Sequence, residues 1–136
     1  MLFRSTNLVK IDNSNIEKIL GCLSECMDWG QVFILDNMMD FEPKDEKMAE
    51  KIIDKVLPRL SHINSAVVLA GLKVVVKFMG NLTNKLLIQG LCKKLTSPVS
   101  SLVNGEQETK WVVLKNMQFV AQKYPEIFLF SFVHPQ

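Results

Sequence analysis

At 136 residues, 48% hydrophobic and 22% charged with a formal net charge of +2, the chain suits one compact unit or a few repeats of a longer array. The near-neutral balance lacks the basic stripe of a dedicated nucleic-acid binder, so no nucleic-acid partner is expected. Three cysteines, Cys22, Cys26 and Cys92, make an odd count without a disulfide framework, which fits a reducing compartment. The opening MLFRSTNLVKIDNSN is too polar for a signal peptide, which points to a cytosolic protein.

Residues 1–13 read as a polar N-terminal segment. From Ser14, SNIE has the form of a capping box, with Glu17 three residues past the cap. Ile16, Leu20, Leu23 and Met27 then recur at helical spacing. DWGQ, from Asp28 to Gln31, offers a second capping box before Val32, Phe33, Ile34, Leu35 and Met38. Pro43 suits a first helical position, and the helix it would open, KDEKMAEKIIDKVL, is sharply amphipathic. Met48, Ala49, Ile52, Ile53 and Val56 make its apolar face, while Glu46, Glu50 and Asp54 flank Lys47, Lys51 and Lys55. Those charges meet at i,i+3, worth tenths of a kcal/mol each, and read as a solvated outer face.

PRLSHINSAVVLAGLKVVVKF, from Pro58 to Phe78, is apolar in a different way. A membrane span needs about 20 mostly apolar residues, and each central lysine costs roughly 2.5–3.5 kcal/mol. Lys73 and Lys77 therefore argue against a span. The run is also too long for a strand of about 5–6 residues. Lys73 and Lys77 are four apart, so on a helix they share one narrow face and leave the rest apolar. Asn64 suits the N-cap and Gly80 the C-terminal stop. The reading is a helix buried on most sides.

Beyond Gly80, NKLLIQGLCKKL forms another helix with Leu86, Leu87, Leu91 and Leu95 inward. Pro98 is expected to break or bend it before VSSLVNG. EQETKWVVLKNMQFVAQKYP is a last long helix, ending at Tyr124 before Pro125. The fold class is all-α, with six or so helices on short connections. Second members of successive pairs align as Phe33-Ile34-Leu35, Val67-Val68-Leu69 and Val112-Val113-Leu114, each followed by Met38, Leu72 or Met117. Their spacing of about 40 residues matches HEAT and armadillo arrays. Residues 14–127 are therefore assigned to a HEAT/armadillo-type α-solenoid of about three hairpins, and 128–136 to a divergent C-terminal tail. An inner helix of such a solenoid touches its partner and both neighbouring repeats, so it must be apolar nearly all round.

Residues able to do chemistry are sparse. Cys22 and Cys26 lie four apart, but a structural zinc site needs a second ligand pair. Cys92, His62 and His134 do not form one, so the cysteines read as small apolar side chains. His62, in the turn before the apolar helix, reads as satisfying backbone groups or a neighbouring carboxylate. No P-loop, GxGxxG, HExxH or glycine-rich elbow is present, so no enzyme activity and no cofactor are expected. Catalytic, cofactor-binding and metal sites are each assigned none, and interaction residues are left open. Trp29 and Trp111, near the starts of two inner helices, read as packing between repeats rather than as binding hot spots. Lys85, Lys93 and Lys94 are too few for a phosphoinositide patch, and the scattered methionines read as core filling.

WGQVFILDNM (Trp29 to Met38), PRLSHINSAVVLAGLKVVVKF (Pro58 to Phe78) and LVNGEQETKWVVLKNMQFVAQKYPEI (Leu102 to Ile127) closely resemble the trunk of β-adaptin, the large β subunit of clathrin adaptor complexes. The likeness runs in order from about Ile16 to Ile127 and places the chain among mid-trunk repeats. FLFSFVHPQ departs from the family's continuation. The clathrin-binding hinge, the appendage and the far N-terminal trunk helices have no counterpart here, and no family site maps onto these residues.

What the resemblance implies is a non-catalytic scaffold in vesicle-mediated protein transport. Its partners would be the other large, medium and small adaptor chains, with clathrin engaged through regions outside this segment. It would be cytoplasmic and peripheral on Golgi, endosomal or plasma-membrane coated vesicles. A HEAT/armadillo cargo-binding transport receptor is the alternative, although the Trp-Asn ladder of such receptors is missing. An enzyme using Cys22, Cys26 or His62 is a further competitor. Interior repeats lack polar caps, so the isolated segment is expected to self-associate through its solenoid ends or to fold FLFSFV across one of them.

Overall fold

The computed structural model describes residues 11–104 together with Gln118, Gln122 and Tyr124. Apart from those three residues, the expected last helix with Trp111 lies outside the described residues, as do His134 and the tail 128–136. Over residues 11–104 five α-helices follow in order: α1 (Ile16–Leu23), α2 (Asp28–Met38), α3 (Glu46–Val56), α4 (Ser65–Met79) and α5 (Lys85–Val103), with a 3-10 turn at Leu57–Ser61 between α3 and α4. Among the described residues there is no strand. The fold is the all-α solenoid that the periodicity anticipated.

α4 is the centre of the stack. It packs against α2, α3, the 3-10 turn and α5, and Val67, Val68, Ala70, Leu72, Val74, Val75, Val76, Phe78 and Met79 are all buried. Only Ser65 and Ala66, in its first turn, are exposed, and Leu69, Lys73 and Lys77 form a half-buried stripe. That stripe explains the two lysines. Lys73 Nζ lies 3.8 Å from Asp36. Lys77 Nζ donates to the Phe41 carbonyl at 2.9 Å, lies 3.4 Å from Glu42 and sits 4.8 Å from the Phe78 ring centroid. Each lysine buries its stem while its head ties α4 to the end of α2.

α3 is the outer partner. Ala49, Ile52, Ile53 and Val56 are buried and Met48 is half-buried, so its sequence pattern is realised. Its charges do more than pair along the helix. Lys51 donates to Glu17 of α1, and Glu46 accepts from the Thr83 backbone N–H at 3.0 Å, holding the turn before α5. Gly71 lets the 3-10 turn lie close on α4, since a Cβ there would stand 3.2 Å from Leu60 Cδ2 and 3.5 Å from Val56 Cγ1.

Several local expectations are corrected. α1 is not opened by a Ser14 capping box: Asp12 Oδ1 accepts from the backbone N–H of Ser14 at 2.9 Å and of Asn15 at 3.1 Å, while Glu17 goes to Lys51. DWGQ is no box either, because Met27 is the N-cap and Gln31 Nε2 donates to the Cys26 carbonyl at 2.9 Å. Pro43 precedes the helix, whose cap is Asp45 accepting from the Met48 N–H at 2.8 Å. Asn64 does cap α4, through Ala66 N–H at 2.8 Å. Pro98 does not break α5, which continues to Val103. Buried Leu91 and Leu95 before it and Val99, Leu102 and Val103 after it hold the helix against the missing N–H, since each such side chain contributes about 1.5–3 kcal/mol. Leu86, expected inward, is 80% exposed.

Candidate functional site

The turns that lead into α2 and α4 lie side by side and are latched together by polar side chains. Asp28, the first residue of α2, is the hub. His62 Nε2 lies 3.3 Å from Asp28 Oδ1, and Asn64 Nδ2 donates to Asp28 Oδ2 at 3.1 Å. His62 Nδ1 accepts the Asn64 backbone N–H at 2.9 Å, so the proton of the neutral ring sits on Nε2, the nitrogen that faces Asp28. His62 thus does both things expected of it, meeting a backbone group and a carboxylate. A second thread runs beneath. Arg59 Nη1 donates to Gln31 Oε1 at 3.4 Å, and Gln31, 3% exposed, holds the Cys26 carbonyl. Arg59 Nε is buried without a hydrogen-bond partner.

From this latched edge three large apolar side chains project into solvent: Met27 at 68%, Trp29 at 66% and Ile63 at 99% exposure. Their exposure corrects two expectations. Met27 was grouped with Ile16, Leu20 and Leu23 at helical spacing, but α1 ends at Leu23. Trp29 was read as packing between repeats. The register of α2 buries Gln31, Leu35 and Met38, and position 29 lies two residues, about 200° of helical rotation, from position 31. It therefore faces away. Exposed aromatic and large aliphatic groups on a rigid frame are the features of an interaction edge. Sequence reading missed Asp28, Asn64, Arg59 and Gln31 as its frame. The available signal was that polar, bond-forming residues cluster in the two turns preceding the apolar helices.

The other candidates do not assemble into a site. Cys22 is exposed rather than buried, Cys26 is intermediate and donates through Sγ to the Cys22 carbonyl at 3.3 Å, and Cys92 is buried. Among the described residues no cluster of three or more His, Cys, Asp or Glu side chains could hold a metal. Lys85 opens α5 and lies about 12 Å along the helix axis from Lys93, too far to join Lys93 and Lys94 in one patch. No helix among the described residues is long and apolar enough to cross a membrane.

Burial and hydrogen bonding shift three carboxyls elsewhere in the stack. Burial raises the Asp36 carboxyl above its ordinary value of 3.8, against the opposing pull of Lys73. The Lys51 hydrogen bond and charge hold Glu17 below 4.5, and the Thr83 hydrogen bonds do the same for Glu46.

Residues 2–77 match the family model described as non-SMC mitotic condensation complex subunit 1. Over 124 residues the chain is 46% identical to AP-1 complex subunit beta-1 of Homo sapiens, covering 90% of this chain and 13% of that protein. Identity to AP-1 complex subunit beta of Dictyostelium discoideum is 42% over 118 residues, which cover 87% of this chain and 12% of the relative. AP-2 complex subunit beta of Schizosaccharomyces pombe is 29% identical over 112 residues, 82% of this chain and 16% of its own length. The chain therefore spans only a small part of each of these relatives.

Proposed function

The chain belongs to the family described as non-SMC mitotic condensation complex subunit 1, and its relatives identify it as a segment of a β-adaptin; from that premise we propose that it is a non-catalytic trunk element of a clathrin adaptor complex. Its work is to hold a curved stack of helices on which other adaptor chains seat, in vesicle-mediated transport. The setting is cytoplasmic, peripheral on coated membranes, with clathrin engaged by other parts of the assembly.

One observation carries this reading to particular residues. Met27, Trp29 and Ile63 stand exposed on an edge whose backbone is fixed by Asp28, His62 and Asn64. A preorganised edge loses little side-chain and loop entropy on docking. We assign this edge to contact with the medium or small adaptor chain. The cargo-receptor alternative gains nothing here, because Asn64 beside the edge is already occupied as the α4 cap and as a donor to Asp28.

The test is co-expression of the β chain carrying this segment with the other large, medium and small chains. Trp29→Ser with Ile63→Ser should reduce recovery of the medium or small chain while helical circular dichroism stays unchanged. Undiminished recovery of the whole assembly would refute the assignment.

A further inference from the structure

A cleft of about 590 Å³ opens between the turn before α4 and the C-terminal half of α5. That volume lies within the roughly 300–1,000 Å³ of ordinary ligand sites. Its floor is apolar, made by Leu60, Val68 and Leu102, and Ile63 stands on its rim. Its polar lining is one-sided. Lys94 lines it, and among the described residues no carboxylate does. Among the described residues Lys94 makes no ion pair or side-chain hydrogen bond, and neither do the hydroxyls of Ser61, Ser97 and Ser101 around it. His62 also borders the cleft, but both its ring nitrogens are engaged, by Asp28 and by the Asn64 N–H. Elsewhere on this molecule the lysines that meet a groove or seam are tied down: Lys51 to Glu17, Lys73 to Asp36 and Lys77 to Glu42. Among the described residues Lys94 has no counterion, and it stands beside an apolar floor.

We propose that this cleft receives an acidic peptide segment of a partner protein, with a carboxylate on Lys94 and a bulky apolar side chain over Leu60, Val68 and Leu102. Charge complementarity selects the sign of the occupant. A cationic segment would meet Lys94 with nothing to offset it, and a wholly apolar one would bury the ammonium and the hydroxyls unpaired. The hydroxyls supply donors and acceptors for the peptide backbone, so an extended segment is accommodated without matching a single side-chain pattern. Ile63 is common to this cleft and to the edge above, whereas Met27 and Trp29 lie outside the cleft; the reading does not depend on the adaptor assignment.

The test uses the full 136-residue chain and fluorescein-labelled Ser-Asp-Glu-Asp-Gly-Trp-Ser as probe, followed by anisotropy and by amide chemical shifts. Two control peptides replace the acids by lysine, or the tryptophan by glycine. Saturable binding of the first peptide alone, with shifts at Lys94, Ser97 and Ser101, is the expected result. Lys94→Glu, an exposed change that should leave the fold intact, should weaken it by about fivefold or more, and added salt should weaken it further. Ser101→Trp, which fills the cleft from the solvent side, should abolish it. Equal binding of all three peptides, shifts confined to Met27 and Trp29, binding unaffected by Lys94→Glu, or preference for anionic lipid vesicles over the acidic peptide would each overturn the proposal. Trp29 lies outside the cleft, so co-expression with Trp29→Ser alone tests the adaptor edge without touching the peptide site, and the two readings fail separately.

Discussion

Gly71 offers a quantitative probe of how tightly the 3-10 turn is seated on α4. Two contributions oppose each other when it becomes alanine. In a helix interior, glycine is about 0.8–1.0 kcal/mol less favourable than alanine. Against that, the new Cβ would stand 3.2 Å from Leu60 Cδ2, 3.5 Å from Val56 Cγ1 and 3.7 Å from Arg59 Cβ. The Leu60 contact is tighter than ordinary packing, and Leu60 is itself only 8% exposed, so it yields by pressing on its own neighbours. The two effects should nearly cancel, leaving Gly71→Ala within about 0.5 kcal/mol of the parent. Gly90 is the internal control: it too lies within a helix, and nothing stands within 4 Å of its added Cβ. Gly90→Ala should therefore stabilise by about 0.5–1 kcal/mol. Gly71→Leu, which no small adjustment can admit, should destabilise by about 1–3 kcal/mol or more. Urea denaturation of the three variants measures this, with m-values checked for constancy. If Gly71→Ala stabilised as much as Gly90→Ala and Gly71→Leu were tolerated, the turn would not lie on α4 as described.

Other consequences follow from the same contacts. Asn64→Ala removes the α4 cap and the tie to Asp28 together, and should cost about 0.5–2 kcal/mol in chemical denaturation; a change near zero would mean that the latch does not bear on stability. Pro98→Ala restores the N–H missing from the middle of α5 and should stabilise by about 1–3 kcal/mol, whereas a loss would show that the ring's packing outweighs its backbone cost. Glu46 is held below 4.5 by Thr83, so its contribution is fully present above that ordinary value and is lost as pH falls through the depressed folded value. Thermal melts from about pH 6 to pH 3 should therefore show less acid destabilisation in Glu46→Gln than in the parent. Asp36, raised by burial, works in the other direction: its contribution is present below 3.8 and fades as pH rises through its folded value. An identical acid limb in parent and Glu46→Gln would dismiss the Thr83 contact as a source of stability.

How far the sequence was legible depended on which physical quantity it encodes. α4 was readable because its signal is a length of unbroken apolar sequence, a cap at Asn64 and two lysines at i,i+4, and all three survive whatever surrounds the helix. The outer face of α3 was equally clear, since a 3.6-residue alternation fixes relative facing within one helix. What periodicity does not fix is the absolute phase of a helix against its neighbours. Trp29 and Leu86 belong to genuine helices but lie on the side away from the core, and only the burial of Gln31 or of Leu91 and Leu95 decides that. Local turn chemistry was the other blind spot. Asn15, not Ser14, is the N-cap of α1, with Asp12 gathering the Ser14 and Asn15 N–H groups in the turn before it, and Asp45 rather than Pro43 set the start of α3. The candidate edge could not be read at all from spacing, because Asp28 meets His62 and Asn64 from more than thirty positions away. Long-range pairing of polar side chains in two turns leaves no periodic trace.

Seating of another adaptor chain on the edge that carries Met27, Trp29 and Ile63 is tested most directly by site-specific photocrosslinking in the assembled complex. A photoreactive phenylalanine analogue would replace Trp29 or Ile63 in one pair of samples, and exposed Lys47 on the outer face of α3 in another. Crosslinks from positions 29 and 63 to the medium or small chain, with none from position 47, are the result this account expects. Crosslinks from position 47 with silence at positions 29 and 63 would contradict it, placing the partner on the opposite layer of the solenoid.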